Sequence, residues 1–241
     1  MVMNHLWQGT WHGRSPTGDQ HSRSREVVRP TGGIVRGKFP SRKNGRMVHH
    51  EGLLELDAIY LFETSPKILR YREQLAPIHY PDGARLRRYT PDFELVLYTG
   101  EVVVVEVKPS RSLADEEIGH KVSCIQGYYQ RLGHPFVVLT EKTLRQEPRQ
   151  SNLRWLYHQT SRIPPTYSAI RMAVEDIYTQ LPATISKTKA LLAPRSVDPF
   201  SALLAGILHC PLDLPVALDS TVDLFREDGH EWFFIAPGFG F

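Results

Sequence analysis

The spacing of apolar positions changes several times along this chain, and each change predicts an element. Residues 1 to about 45 show weak periodicity and many Gly, Ser and Pro breakers, which reads as an extended arm. From Val48 the pattern tightens. Leu53, Leu54, Leu56, Ala58, Ile59, Leu61 and Phe62 predict a helix with a broad apolar face, stopping before Ser65-Pro66. Residues 68–71 and 76–80 read as short strands, followed by a turn at Pro81-Asp82-Gly83. Residues 88–98 alternate like one strand, Thr99-Gly100 turns it, and residues 102–108 form its hairpin partner. The run Val102-Val103-Val104-Val105 suits a strand covered on both faces.

A helix is expected over residues 115–132, closed by Gly133, and then a buried strand over 135–139. Residues 152–160 look helical, and Ile163-Pro164-Pro165 marks a boundary. Beyond it lie helices near 168–180, 184–192 and 199–209, then a strand-like stretch at 232–235. The expected fold class is α/β, a mixed sheet flanked by helices, with a small, mainly helical, winged-helix-like C-terminal domain. The expected division is a basic arm (1–45), a core domain (46–162) and the C-terminal domain (163–241).

Charge alters this picture at the two ends. The net +3 conceals nine Arg/Lys against two acids over residues 1–50, and five against nine over residues 163–241. A basic arm suits a polyanion, because neutralised phosphates release counterions; it equally suits a solvated tail. The acidic C-terminal third fits a protein contact better than a second DNA surface. No apolar run approaches the ~20 residues of a membrane helix, and the N-terminus lacks the basic-then-apolar form of a secretory signal. Cys124 and Cys210 stand far apart in no metal-ligand spacing, and the only adjacent histidines are His49-His50. A reducing cytoplasm is the expected location.

The candidate chemistry lies in Thr90-Pro91-Asp92-Phe93 and Val105-Glu106-Val107-Lys108-Pro109. Fourteen residues separate Asp92 from Glu106, about the length of a strand, a tight turn and the return strand. Antiparallel pairing sets these acids side by side, and the two-residue period puts Lys108 on the face of Glu106. Neighbouring carboxylates repel unless a cation joins them, and oxygen ligands with room for water suit Mg²⁺, for which Mn²⁺ is an expected substitute. Lys108 can then orient an attacking water or offset charge on a phosphorus. A lone Glu-x-Lys on a strand is more often a solvated ion pair. Here the pair ends a buried valine run with Pro-Asp at hairpin distance. Glu55, on the first helix, is in reach as a further ligand or base.

These motifs are of the PD-(D/E)xK nuclease type, and their order resembles the TnsA endonucleases of Tns-type transposons, some of them CRISPR-associated. The resemblance runs through Gly37-Lys38-Phe39-Pro40-Ser41-Arg42-Lys43, the stretch Val48 to Glu55, Arg72-Glu73-Gln74, Tyr89 to Phe93, Val105 to Pro109 and His134 to Glu141. It implies a restriction-endonuclease-like sheet, with Glu55, Asp92 and Glu106 as metal-binding acids and Lys108 as the catalytic lysine. Glu51, read as four residues earlier on the same helix face, is the alternative to Glu55; the family spacing favours Glu55. Gln74 is either an outer support of the site or an ordinary strand-end amide. Lys121 and Gln126 on the following helix could reach DNA, but read better as solvated helix residues. Phe200 to Leu208, Asp213 to Val216 and Ser220-Thr221-Val222 resemble the family's C-terminal module.

The implied function is that of a transposase-complex endonuclease. It hydrolyses one strand at double-stranded transposon ends with Mg²⁺, beside a TnsB-like DDE transposase and a TnsC-like AAA+ ATPase, in a bacterial cytoplasm on the nucleoid. The competing readings are a stand-alone restriction or repair endonuclease and a non-cutting DNA-binding assembly subunit.

Overall fold

A computed structural model describes residues 35–225 and Gly238. Its first element is a hairpin, β1 (Gly37–Ser41) paired antiparallel with β2 (Arg46–His50). The arm expected over residues 1–45 therefore gives way to a strand at Gly37; residues 1–34 lie outside the described residues. Three of the cations counted over residues 1–50 hold the fold together. Arg46 forms a buried two-pronged ion pair with Glu73, at 2.8 and 2.7 Å. Arg42 stacks 4.0 Å from the Tyr157 ring centroid and donates to the Tyr157 and Thr160 carbonyls. Lys43 is half-buried, and its ammonium donates to the Phe62, Ser65 and Ile68 carbonyls. Burial pulls its pKa down to about 7, against the opposing charge of Glu63. These cations answer to buried carboxylates and carbonyls, so they are not available to phosphates.

Helix α1 (Leu53–Thr64) follows, ending where Pro66 can supply no N–H. The carbonyls that Lys43 satisfies include that of Phe62 in its last turn. Next come β3 (Ile68–Glu73) and a separate hairpin of β4 (Ile78–Asp82) and β5 (Arg85–Tyr89). The single strand expected over residues 88–98 is two strands. β5 ends at Tyr89 and pairs with β4, whereas β6 (Phe93–Leu97) enters the main sheet. Between them Thr90-Pro91-Asp92 leaves the ladder, which Pro91 cannot join as a donor.

β7 (Val102–Val107) returns antiparallel to β6, with Phe93 opposite Val105. The chain then passes through short α2 (Ser110–Leu113) and long α3 (Glu116–Arg131) to β8 (Phe136–Leu139), parallel to β7. Asp115 caps α3, its side chain accepting from the Ile118 N–H at 3.1 Å. Gly133, at φ +70°, turns the chain beyond the helix end as the sequence predicts. The sheet order is β3-β6-β7-β8. The valine run alternates between two cores. Val103, Val105 and Val107 pack on the side of α1, and Val104 packs with Ile125, Tyr129 and Phe136 on the side of α3. A strand covered on both faces is what the unbroken β-branched run predicts.

After α4 (Glu141–Leu144) and α5 (Arg149–Gln159) comes the C-terminal part: α6 (Tyr167–Glu175), β9 (Ala183–Thr184), α7 (Ile185–Leu192), α8 (Pro199–Leu204), β10 (Leu208–His209) and β11 (Thr221–Leu224). A three-stranded sheet ordered β10-β11-β9, with β9 between the first two of three helices, is a winged-helix arrangement. The helices expected over 168–180 and 199–209 are shorter, stopping at Glu175 and Leu204. The strand expected at 232–235 lies outside the described residues.

The nuclease-like sheet and this C-terminal part share one continuous core. Trp155 of α5 packs edge-on against Phe200 of α8, with centroids 5.4 Å apart. The Asn152 amide on α5 donates to the Leu212 and Leu214 carbonyls and accepts from the Val216 N–H. Pro199 to Leu203 of α8 are buried. Among the described residues no helix is long and apolar enough to cross a membrane.

Candidate active site

β6 and β7 deliver two of the expected residues by register. Extending their pairing by one step sets Asp92 opposite Glu106, at the end of the sheet where both strands leave it. The Asp92 carboxylate accepts from the Val107 N–H at 2.9 Å, which ties the acid to the partner strand. Two residues apart on one face, Glu106 and Lys108 meet in an ion pair of 2.8 Å. Glu106 is 3% exposed while the Lys108 side chain is 32% exposed, so the ammonium looks outward from a buried acid. Lys108 leaves the strand directly: its N–H donates to the Leu139 carbonyl of β8, and Pro109 opens α2.

Glu55 reaches this group from the first turn of α1. Its carboxylate folds back to accept from the Glu51 N–H at 2.7 Å, just ahead of the helix start. Burial raises its pKa, and the charges of Glu51 and Glu106 raise it further against Lys108. Glu51 does not share a helix face with Glu55, because α1 begins only at Leu53. The Glu51 carboxylate instead accepts from the Gln74 amide at 2.9 Å. The charge of Glu55 is felt at both Asp92 and Lys108.

The electrostatics are those of crowded carboxylates around one cation. Burial, then the charges of Glu106 and Glu55, hold the Asp92 carboxyl well above the usual range; Lys108 and the Val107 N–H oppose this. Burial works to lower the Lys108 pKa, but Glu106, Asp92 and Glu55 outweigh it, so the ammonium stays charged. The donor set suits a hard divalent cation, since crowded carboxylates such as Asp92 and Glu55, whose proton affinity is raised, gain most when a cation replaces their protons. Gln74 adds a buried amide oxygen with no hydrogen-bond partner among the described residues. Its N–H donates to the Asp92 carbonyl at 2.8 Å, and its backbone sits at φ 49°, a left-handed conformation that costs energy in a non-glycine residue.

Two supporting residues escaped the sequence reading. The Tyr89 hydroxyl donates to Glu106, and burial together with the Glu106 charge pushes its pKa far up, so it remains a donor. The sign of it in the sequence was Tyr89's place at the head of the Tyr89 to Phe93 stretch, three residues before Asp92. Glu141 accepts from the Ser110 N–H at 2.8 Å and from the Ser110 hydroxyl, which holds its pKa down at about 2 and fixes the chain just past Lys108. Lys121 lies 5.4 Å from the Tyr89 ring centroid, and Gln126 is exposed on α3. Glu73 of the Arg72-Glu73-Gln74 motif serves Arg46 and the His49 N–H.

Residues 65–141 match the family model described as TnsA-like endonuclease N terminal. This stretch is a TnsA-like endonuclease domain. The matched span runs from the end of α1 to the start of α4, so Asp92, Glu106 and Lys108 of the TnsA-like domain lie inside it and Glu55 lies before it. No curated protein matches the chain.

Proposed function

We propose that this TnsA-like protein hydrolyses phosphodiester bonds of one DNA strand at transposon ends, with Asp92, Glu106 and Glu55 holding Mg²⁺ and Lys108 assisting the attack. The observation that carries the proposal is the meeting of these four side chains at one sheet end, three of them inside the TnsA-like stretch. Mg²⁺, or Mn²⁺ in its place, supplies Lewis acidity to the phosphate and a more acidic bound water. Asp92 stays aimed through the Val107 N–H and Glu106 through Tyr89. Lys108, charged and partly exposed, meets the negative charge that grows on the phosphoryl oxygens.

The wider reading is of one partner in an assembly with a TnsB-like DDE transposase and a TnsC-like AAA+ ATPase. Exposed Arg85, Arg87 and Arg88 on β5 offer sequence-independent phosphate contacts. In a DNA-reading winged helix the second helix of the helix-turn-helix enters the major groove. Here that helix, α8, is buried against α5. This supports site selection by a partner over base reading through α8, and it weighs against the stand-alone restriction enzyme.

The test incubates the protein with Mg²⁺, its transposase and DNA carrying element ends, and maps the nicked strand. Asp92→Ala and Lys108→Ala are expected to lose cleavage by at least about a hundredfold while complex assembly survives. Variants that cut like the wild type overturn the site; efficient cutting of plain DNA by the protein alone favours the stand-alone enzyme.

A further inference from the structure

The fold assembles a second group of donors that shares no residue with the carboxylate–lysine centre. His120 and Cys124 stand one helical turn apart on α3, and Asp82 faces them from the end of β4. The His120 Nε2 lies 2.7 Å from Asp82 Oδ1 and 3.5 Å from Cys124 Sγ, and the sulfur lies 4.0 Å from the same carboxylate oxygen. A cysteine–histidine–aspartate relay needs the acid on one ring nitrogen and the thiol on the other. Here both converge on the same nitrogen, so the three donor atoms surround one point. That arrangement suits a shared cation and not a proton relay.

We propose that Asp82, His120 and Cys124 form a Zn²⁺ site that clamps the β4–β5 hairpin onto α3. Tetrahedral zinc with nitrogen, sulfur and oxygen ligands sets ligand–ligand spacings of about 3.3–3.5 Å. The nitrogen–sulfur pair already has that spacing, and the other two need shifts of roughly half an ångström. The mixed donor set selects zinc over magnesium, which has little affinity for a thiolate. The second Asp82 oxygen accepts from the Arg87 guanidinium, which orients the carboxylate as outer partners of metal ligands do. Two anionic ligands neutralise the dication, and the exposed His120 leaves a fourth position for water. The other cysteine, Cys210, is buried, its thiol pushed up to about 12, and takes no part.

The clamp lies where the main sheet gives no support. The β4–β5 pair forms its own two-stranded sheet, and β5 runs to Tyr89, the donor to Glu106. The experiment removes metal from the full chain with a chelator, adds Zn²⁺, and counts bound zinc by mass spectrometry after gel filtration. Wild type and Asp92→Asn are each expected to retain one equivalent, whereas Cys124→Ser and His120→Ala bind at least about tenfold more weakly. Co²⁺ in place of Zn²⁺ is expected to give a thiolate-to-cobalt charge-transfer band in the wild type and none in Cys124→Ser. Zinc retention that survives both ligand substitutions, no retention by the wild type, or no thiolate band each overturns the site. Because the readout is metal content and not cleavage, failure here leaves the nuclease assignment untouched.

Discussion

Replacing Asp92 with Asn is expected to stabilise the metal-free protein while abolishing cleavage. The partly buried Asp92 carboxylate faces two like charges, Glu106 and Glu55, and one opposite charge, Lys108. One repulsion is left over. At an effective dielectric constant near 20 and a separation of roughly 6 Å, one such pair is worth about 3 kcal/mol, and solvent at the open sheet end reduces it to about 1–2 kcal/mol. Asn retains an oxygen to accept from the Val107 N–H, so the bond between the strands survives. For a chain of this size, that gain corresponds to a Tm rise of roughly 2–8 °C.

The pH dependence follows from the direction of the shift. Folded Asp92 holds its proton above the unfolded pKa, so the native state binds more protons there. Stability of the metal-free wild type falls as pH rises from the ordinary carboxylate range through the raised Asp92 value. Asn removes that slope. Calorimetry of both proteins in chelator, from mildly acidic to neutral pH, reads the difference directly. Added Mg²⁺ should then raise the wild-type Tm and leave the variant nearly unmoved. A variant that melts at or below the wild type at neutral pH without metal refutes the reasoning.

Tyr89→Phe removes the hydroxyl that aims Glu106, and is expected to raise the Mg²⁺ concentration needed for half-maximal cleavage by about 10–100-fold; an unchanged Mg²⁺ titration contradicts that role. Arg46→Ala removes the two-pronged cationic partner of the buried Glu73 carboxylate, a loss of about 3–5 kcal/mol in urea unfolding. Adding Glu73→Gln to that variant should recover part of it, and a single-variant loss under about 1 kcal/mol counts against the pair as an anchor.

Much of the candidate site was legible because local periodicity carries it. The two-residue period of a strand sets Glu106 and Lys108 on one face, and hairpin length sets Asp92 beside them. The valine run announced a strand covered on both sides, and Gly133 marked the end of α3. Other features depend on contacts between residues far apart in the chain, which periodicity does not encode. A count of cations could not separate phosphate-seeking arginines from Arg46 and Lys43, whose partners Glu73, Phe62 and Ile68 arrive only on folding. The split of residues 88–98 into two strands turns on which partner each half finds, as does the donation from Tyr89 to Glu106.

The sequence by itself determined strands β3, β7 and β8, helix α3 and the spacing of the acid–lysine group, because these rest on backbone period and turn chemistry within short segments. The tertiary structure alone decided that Glu55 faces Lys108 while Glu51 turns to Gln74, that α8 is buried against α5, and that Asp82 meets His120 and Cys124. Each of those depends on how separate elements pack, and packing is a property of the assembled core.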